Sequence, residues 1–179
     1  MNTTTINTKK MVANAILIAV GAILHLITPS FFGMQCDFSL AMLFIIMVFN
    51  RDYKTTLTCG IIVGIFSAYT SKLGGMAIVP NIVDKLITCN IMYLILMPLR
   101  NNISKIKQIA LVLPLGTLVS GTTFLTVLMM LSGLPGGMSF EALFMSVVVP
   151  TMAINTILGL AIFKTVEKIA TMNRTYVTE

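Results

Sequence analysis

Long apolar stretches alternate with short polar gaps along most of the chain, and each apolar stretch has between 14 and 26 residues. A helix of about 20 apolar residues crosses a bilayer, because a helix makes its backbone hydrogen bonds within one segment. The pattern predicts an all-α membrane protein that forms a single six-helix transmembrane domain over residues 1–179. The predicted spans are Met11–Thr28, Asp37–Asn50, Thr55–Thr70, Asn81–Leu99, Ile106–Leu131 and Phe140–Phe163.

The second predicted span, Asp37–Asn50, has only 14 residues. A span shorter than the hydrocarbon core has to be accommodated by its surroundings. We expect it to tilt into its neighbours, to extend through residues 31–36, or to be shielded by protein.

Composition supports a membrane location. Hydrophobic residues make up 56% of the chain and charged residues 10%, and the mean hydropathy is +0.95. A water-soluble core of this size cannot hide so many apolar side chains, so lipid is the expected solvent. The net charge of +6 does not indicate a nucleic-acid partner, because the basic residues do not form a patch with interleaved aromatic residues.

The basic residues instead predict orientation. Ten of the twelve Lys and Arg residues fall at the two termini or in alternate gaps between spans, whereas Lys72 and Lys85 lie on the opposite side. The positive-inside rule then places the N-terminal residues 1–10 and the tail 165–179 of this multi-pass membrane protein in the cytoplasm. The ten residues are Lys9, Lys10, Arg51, Lys54, Arg100, Lys105, Lys107, Lys164, Lys168 and Arg174.

The fourth span carries the densest set of polar groups. At 100° per residue, Asn81, Asp84, Lys85 and Thr88 share one helix face near the outer end of the span. Intramembrane charges usually face a cavity, a partner or a substrate. Asp84 suits an amino group and Lys85 a carboxylate, so the face predicts a site for a zwitterion. In the alternative interpretation, Asn81 and Asp84 cap the helix and Lys85 extends toward the interface.

Other polar residues lie toward the same outer side. Asp37 begins the second span, and His25 near the end of the first favours a hydrogen bond that orients a loop over a metal site. Asn155 follows Pro150, which loosens its helix, and is typical of interhelical hydrogen bonding. Gly74 and Gly75 supply a turn before the fourth span. We include these residues with the polar face of the fourth span as candidate substrate-binding residues.

Small residues on the first span indicate a second kind of contact. Ala15, Ala19 and Ala22 lie on nearly one face, so another helix can approach closely there. The face predicts either a partner interface or packing inside the bundle.

Catalytic motifs are absent from the sequence. It contains no GxxxxGK[ST], GxSxG or HExxH motif, and His25 is its single histidine. The three cysteines show no paired spacing typical of metal sites. We therefore expect no enzyme activity, no metal ion and no cofactor.

Three segments carry a family resemblance. They are residues 21–29, beginning Gly-Ala-Ile-Leu-His; residues 33–38, Gly-Met-x-x-Asp-Phe; and residues 74–88, with Gly-Gly-Met and Pro-Asn-x-x-Asp-Lys. They resemble the bacterial tryptophan-uptake TrpP family, and the whole pattern is similar to substrate-binding (S) subunits of energy-coupling-factor vitamin transporters.

The resemblance implies a six-helix bundle that captures L-tryptophan from outside the cell. It also implies that the Ala-rich first helix docks on a scaffold membrane protein that two cytoplasmic ATPases drive. The other hypotheses are a self-sufficient secondary transporter driven by protons or sodium, which needs an ion site near the bilayer midplane, and a regulatory or assembly subunit that binds no small molecule tightly.

Overall fold

The structure is a computed structural model that describes residues 8–31, 34–173 and 175–176. Within them the chain forms six helices joined by short connections. A two-stranded antiparallel hairpin, β1 (Ser30–Phe31) and β2 (Met34–Gln35), joins the first two helices. The helices are α1 (Thr8–Ile27), α2 (Phe38–Phe49), α3 (Tyr53–Thr70), α4 (Ile78–Leu99), α5 (Lys105–Ser132) and α6 (Phe140–Met172).

The short helix α2 lies at the centre of the bundle and contacts each of the other five helices. Every side chain from Leu40 to Met47 is at most 1% exposed. Around α2, α1 packs against α3, α3 against α4, α4 against α5 and α5 against α6. Shielding by protein therefore explains the short second span, because its apolar residues contact neighbouring helices.

Four helical segments of the described residues are long and apolar enough to cross a bilayer. They are α1, Gly74–Leu99, α5 and α6, whereas α2 has 12 residues and the 18 residues of α3 include several polar ones. Large apolar side chains such as Ile16, Leu94 and Met130 remain exposed on the outer surface, where lipid can solvate them. The predicted all-α fold is confirmed in its helix count, since the described residues form six helices, and four helical segments among them meet the length and hydropathy of a membrane span.

Several predicted boundaries change. The fourth helix begins at Ile78, three residues before the predicted start, and Pro80 fits into its first turn because an amide there needs no helical partner. The last helix extends to Met172, so much of the predicted tail is helical. The first helix begins at Thr8; residues 1–7 of the predicted N-terminal segment lie outside the described residues.

Basic residues from α1, α5 and two helix connections meet at one end of the bundle. Lys10, Arg51, Arg100 and Lys105 line a common cavity there. Arg100 donates to the carbonyl of Met47 at 3.2 Å and so stabilises the negative end of the α2 dipole.

The central helix leaves no room for a side chain at Gly116 of α5. A Cβ there would lie 2.1 Å from Cζ of Phe44, which is fully buried. We predict that Gly116→Ala lowers the free energy of unfolding by about 1–3 kcal/mol through overpacking. The measurement is the thermal unfolding midpoint of purified protein in detergent.

The matched control is Gly75→Ala, because a Cβ at Gly75 would meet no atom of the described residues within 4 Å. It should leave the midpoint unchanged. Equal midpoints for the two variants would contradict the tight contact between α2 and α5.

Candidate functional site

A cavity opens at the end of the bundle opposite the basic one, between the β-hairpin, the start of α2, and α4, α5 and α6. Its empty volume is about 550 Å³, including the part open to solvent. Polar residues line one side, and Leu40, Phe124, Val147 and Val148 contribute apolar surface. The cavity therefore offers charged and apolar groups together, as small-molecule sites do.

Three charged side chains form an ion cluster in its wall. Nζ of Lys85 lies 2.6 Å from Oδ2 of Asp37 and also pairs with Oδ2 of Asp84. The side chains of Lys85 and Asp84 are each 1% exposed, and that of Asp37 is 16% exposed. The alternative in which Lys85 extends toward the interface is wrong, because its ammonium points inward to two carboxylates.

Helix geometry positions both carboxylates. Asp37 is the N-cap of α2 and accepts hydrogen bonds from the backbone amides of Ser39 at 3.0 Å and Leu40 at 3.3 Å, where the helix dipole favours negative charge. Asp84 accepts a hydrogen bond from the hydroxyl of Thr88, one turn further along α4, at 3.0 Å.

The helix-capping alternative for Asn81 is also wrong. The N-cap of α4 is Ala77, which makes no side-chain cap. Asn81 lies inside the helix and donates from Nδ2 to the carbonyl of Ala77 at 2.8 Å. It is 4% exposed and lines the cavity together with Asp84 and Lys85.

Asn155 of α6 enters the site from the opposite wall. Its Nδ2 donates to the backbone carbonyl of Asp37 at 3.2 Å and to the hydroxyl of Thr117 at 3.3 Å. The side chain therefore joins α6 to α5 and to the start of α2, as the predicted interhelical role requires.

The nine candidate substrate-binding residues fall into two groups. Asn81, Asp84, Lys85, Asp37 and Asn155 line the cavity. The remaining four, Thr88, His25, Gly74 and Gly75, are not among its lining residues.

Two of these four support lining residues. Thr88 orients Asp84 through the hydrogen bond described above. His25 is 3% exposed, and its Nδ1 lies 2.6 Å from the hydroxyl of Thr70. The carbonyl of His25 accepts a hydrogen bond from Gln35 at 2.6 Å, and Gln35 lines the cavity. His25 thus orients a loop, as expected.

The two glycines lie outside the cavity wall. Gly74 and Gly75 form an exposed 3₁₀ turn before α4. Gly74 has a φ of +62°, a conformation that glycine adopts without strain. The structure gives them a turn-forming role and does not place them at the cavity.

Sequence reasoning missed the polar residues that α5 contributes. Thr117, Ser120, Gly121 and Phe124 line the cavity, and their spacing of three, four and seven residues places them on one helix face. Ser120 also interacts with Asp84. Two hydroxyl residues and a glycine on one stripe of an apolar helix are the signal that could have identified this wall.

A break in helical geometry forms another part of the wall. Residues Phe144–Val148 of α6 adopt a π-helical turn, which ends two residues before Pro150. Pro150 has no amide hydrogen to donate to the preceding turn, which explains the irregularity, and π-turns occur frequently at functional sites. Val147 and Val148 of this turn line the cavity.

The alanine face of α1 is directed away from the bundle. Ala15 and Ala19 are exposed and Ala22 is partly exposed, next to large exposed residues such as Ile16 and Ile23. Packing inside the bundle, the alternative interpretation for this face, is wrong for Ala15 and Ala19.

The ion cluster predicts how the removal of one charge or of all three charges changes the thermal stability of the protein. Lys85→Met leaves two buried carboxylates without their cation, which costs about 3–5 kcal/mol for a buried pair. We predict a clearly lower thermal midpoint for Lys85→Met in detergent. The triple variant Asp37→Asn, Asp84→Asn, Lys85→Met should recover most of that loss, because it removes all three charges.

A triple variant less stable than Lys85→Met would show that unpaired charge is not what destabilises the single variant. The same measurement on Lys72→Met provides the reference for losing a lysine outside the cavity.

Comparison with known proteins identifies relatives over nearly the whole chain. The family described as "Tryptophan transporter TrpP" matches residues 7–171. A "Probable tryptophan transport protein" of Clostridium perfringens is 44% identical over 172 residues, covering 90% of this chain and 93% of the relative. Proteins with the same description from Clostridium acetobutylicum and Bacillus subtilis are 40% and 38% identical, with 90% of this chain covered in each. The alignments cover 94% and 92% of these two relatives.

No solved structure matches the chain. The family match and the long apolar helices together place the protein in the bacterial cell membrane as a multi-pass protein.

Proposed function

Because this chain belongs to the TrpP family of tryptophan transporters, we propose that it carries L-tryptophan into the cell and binds it in the cavity beside the ion cluster. The observation that carries the proposal is that two carboxylates and one ammonium line a cavity with an apolar wall. An amino acid with a large apolar side chain matches both parts of that surface.

The ion cluster favours a ligand with a positive charge. Asp37 and Asp84 share a single cation, Lys85, so the cluster contains one more carboxylate than ammonium group. Buried charge is costly without a partner. The α-ammonium of an amino acid supplies the missing positive charge at Asp84, and the ammonium of Lys85 attracts the α-carboxylate.

The apolar wall accounts for affinity. An indole ring buries about 200 Å² of apolar surface, which at roughly 25 cal/mol/Å² contributes about 5 kcal/mol. Phe124, Leu40, Val147 and Val148 provide the surface against which a ring can pack. The charged groups then fix the orientation of the ligand.

Charge removal should weaken tryptophan binding. We predict that Asp84→Asn and Lys85→Met, made separately, each raise the dissociation constant at least about tenfold, which corresponds to about 1.4 kcal/mol. Each variant removes one of the two charges that complement the zwitterion. The measurement is isothermal titration of purified protein in detergent, below the unfolding midpoint of each variant.

Lys72→Met is the matched control, because Lys72 belongs to the same outer side and does not line the cavity. Its affinity should equal that of the unaltered protein. Unchanged affinity in both Asp84→Asn and Lys85→Met would contradict the proposed site.

We further propose that the chain is the substrate-capture subunit of an energy-coupling-factor-type importer, with an S-component fold and both termini in the cytoplasm. Two observations support this. The small residues Ala15 and Ala19 are exposed on α1, where a scaffold membrane subunit can approach closely. The basic residues gather at the end opposite the cavity, consistent with a cytoplasmic end. Two ATPases would supply the energy.

The ion cluster also favours a second candidate, ion-coupled secondary transport. A buried carboxylate in excess of its cations can bind a proton or a sodium ion, and transporters use such residues for coupling. In this candidate, Asp84 or Asp37 exchanges a coupling cation as tryptophan moves.

Reconstitution separates the two candidates. We predict that proteoliposomes containing only this protein do not accumulate tryptophan under an imposed proton or sodium gradient, because the ATPase module is missing. Accumulation by the protein alone would establish the second candidate.

The alanine face of α1 allows a second test of the proposal that the chain is a subunit of an importer. In cells, Ala15→Leu with Ala19→Leu should reduce uptake at least about tenfold while leaving tryptophan affinity in detergent unchanged, because bulky residues prevent close helix approach. Val20→Leu, at another exposed position of α1, is the control. Normal uptake in the alanine variant would exclude this face as the docking surface.

A further inference from the structure

Asn155 has one polar atom that the described part of the protein leaves without a partner. The residue is completely buried and lines the cavity. Its Nδ2 makes two hydrogen bonds, whereas its Oδ1 makes none to any described group. Buried acceptors without a donor are uncommon in proteins and costly.

The neighbouring groups determine which end of the amide is the unpaired one. The backbone carbonyl of Asp37 can only accept a hydrogen bond, so the amide nitrogen must face it. The hydroxyl of Thr117 donates to the carbonyl of Leu113 at 2.8 Å and therefore accepts from Asn155. Reversing the amide would place its oxygen against an acceptor and lose both bonds.

We propose that Oδ1 of Asn155 accepts the N–H of the indole ring and makes Asn155 a specificity-determining residue for tryptophan. The inference rests on the proposed function. Within tryptophan, the ammonium is matched by the carboxylates of the ion cluster, and the indole N–H is the donor that remains. A cavity acceptor with no donor of its own fits that group.

This arrangement rejects aromatic amino acids that lack the ring donor. When such a ligand fills the cavity, Oδ1 stays buried and unpaired, and the lost hydrogen bond discriminates against the ligand. Apolar contact with Phe124 and neighbouring residues cannot make this distinction, because it depends on shape and area.

The test compares L-tryptophan with L-3-benzothienylalanine, in which sulfur replaces the ring N–H in a ring of nearly the same shape. The dissociation constants of both ligands are measured by titration of the purified full-length protein. We expect the unaltered protein to prefer tryptophan at least about tenfold. Asn155→Leu, which removes the acceptor at similar volume, should bring the ratio of the two constants close to one.

Thr117→Val is the matched control. It removes the hydroxyl that accepts from Nδ2 of Asn155 and leaves Oδ1 in place. It should weaken both ligands by the same factor and keep the ratio, because general damage to the wall does not depend on the ring donor.

The outcomes distinguish this inference from the proposed function. Equal affinities for the two ligands in the unaltered protein, or an unchanged ratio in Asn155→Leu, overturn the role of Asn155 while tryptophan binding stands. Failure of the unaltered protein to bind tryptophan overturns the proposed function and this inference together. If Asn155→Leu does not fold, the ratio in the unaltered protein decides.

Discussion

Two carboxylates and one ammonium are buried together in a bundle whose outer surface faces lipid. Separating such charges from water is costly, and they persist only where partners are close. Lys85 contacts both Asp37 and Asp84, and the amides at the start of α2 also stabilise Asp37. The start of α2, the polar face of α4 and the cavity between them are thus arranged around one electrostatic requirement.

That requirement explains why the shortest helix occupies the centre. Because α2 is surrounded by protein, its N-terminus lies inside the bundle and carries Asp37 to Lys85. A helix of full membrane length would place that terminus at the membrane surface. Asn155 then ties α6 to the carbonyl of Asp37, so α2, α4 and α6 are joined by polar contacts beside the cavity.

The hydropathy pattern predicted six helices because apolar residues that face lipid or the bundle interior recur over whole spans. The polar face of α4 singled out Asp84 and Lys85 as candidate substrate-binding residues, because charges inside a span are rare. Other features depend on tertiary contacts that no local pattern encodes. Asn81 has the sequence signature of a cap but lies one turn inside the helix, since Gly74–Ala77 continues into α4. The pairing of Lys85 with Asp37 joins residues 48 positions apart. The residues of α5 line the cavity only because that helix packs beside α4 and α6.

The one carboxylate in excess of the ammonium groups connects the proposed binding with transport. With both carboxylates ionised, an arriving ammonium balances the charges of the cluster, and a proton or sodium ion can balance them when the ligand leaves. The proposed site is therefore compatible with capture by a subunit driven from outside and with exchange in an ion-coupled carrier. What distinguishes these mechanisms is the surface that couples the bundle to an energy source, and α1 presents small exposed residues suited to that contact.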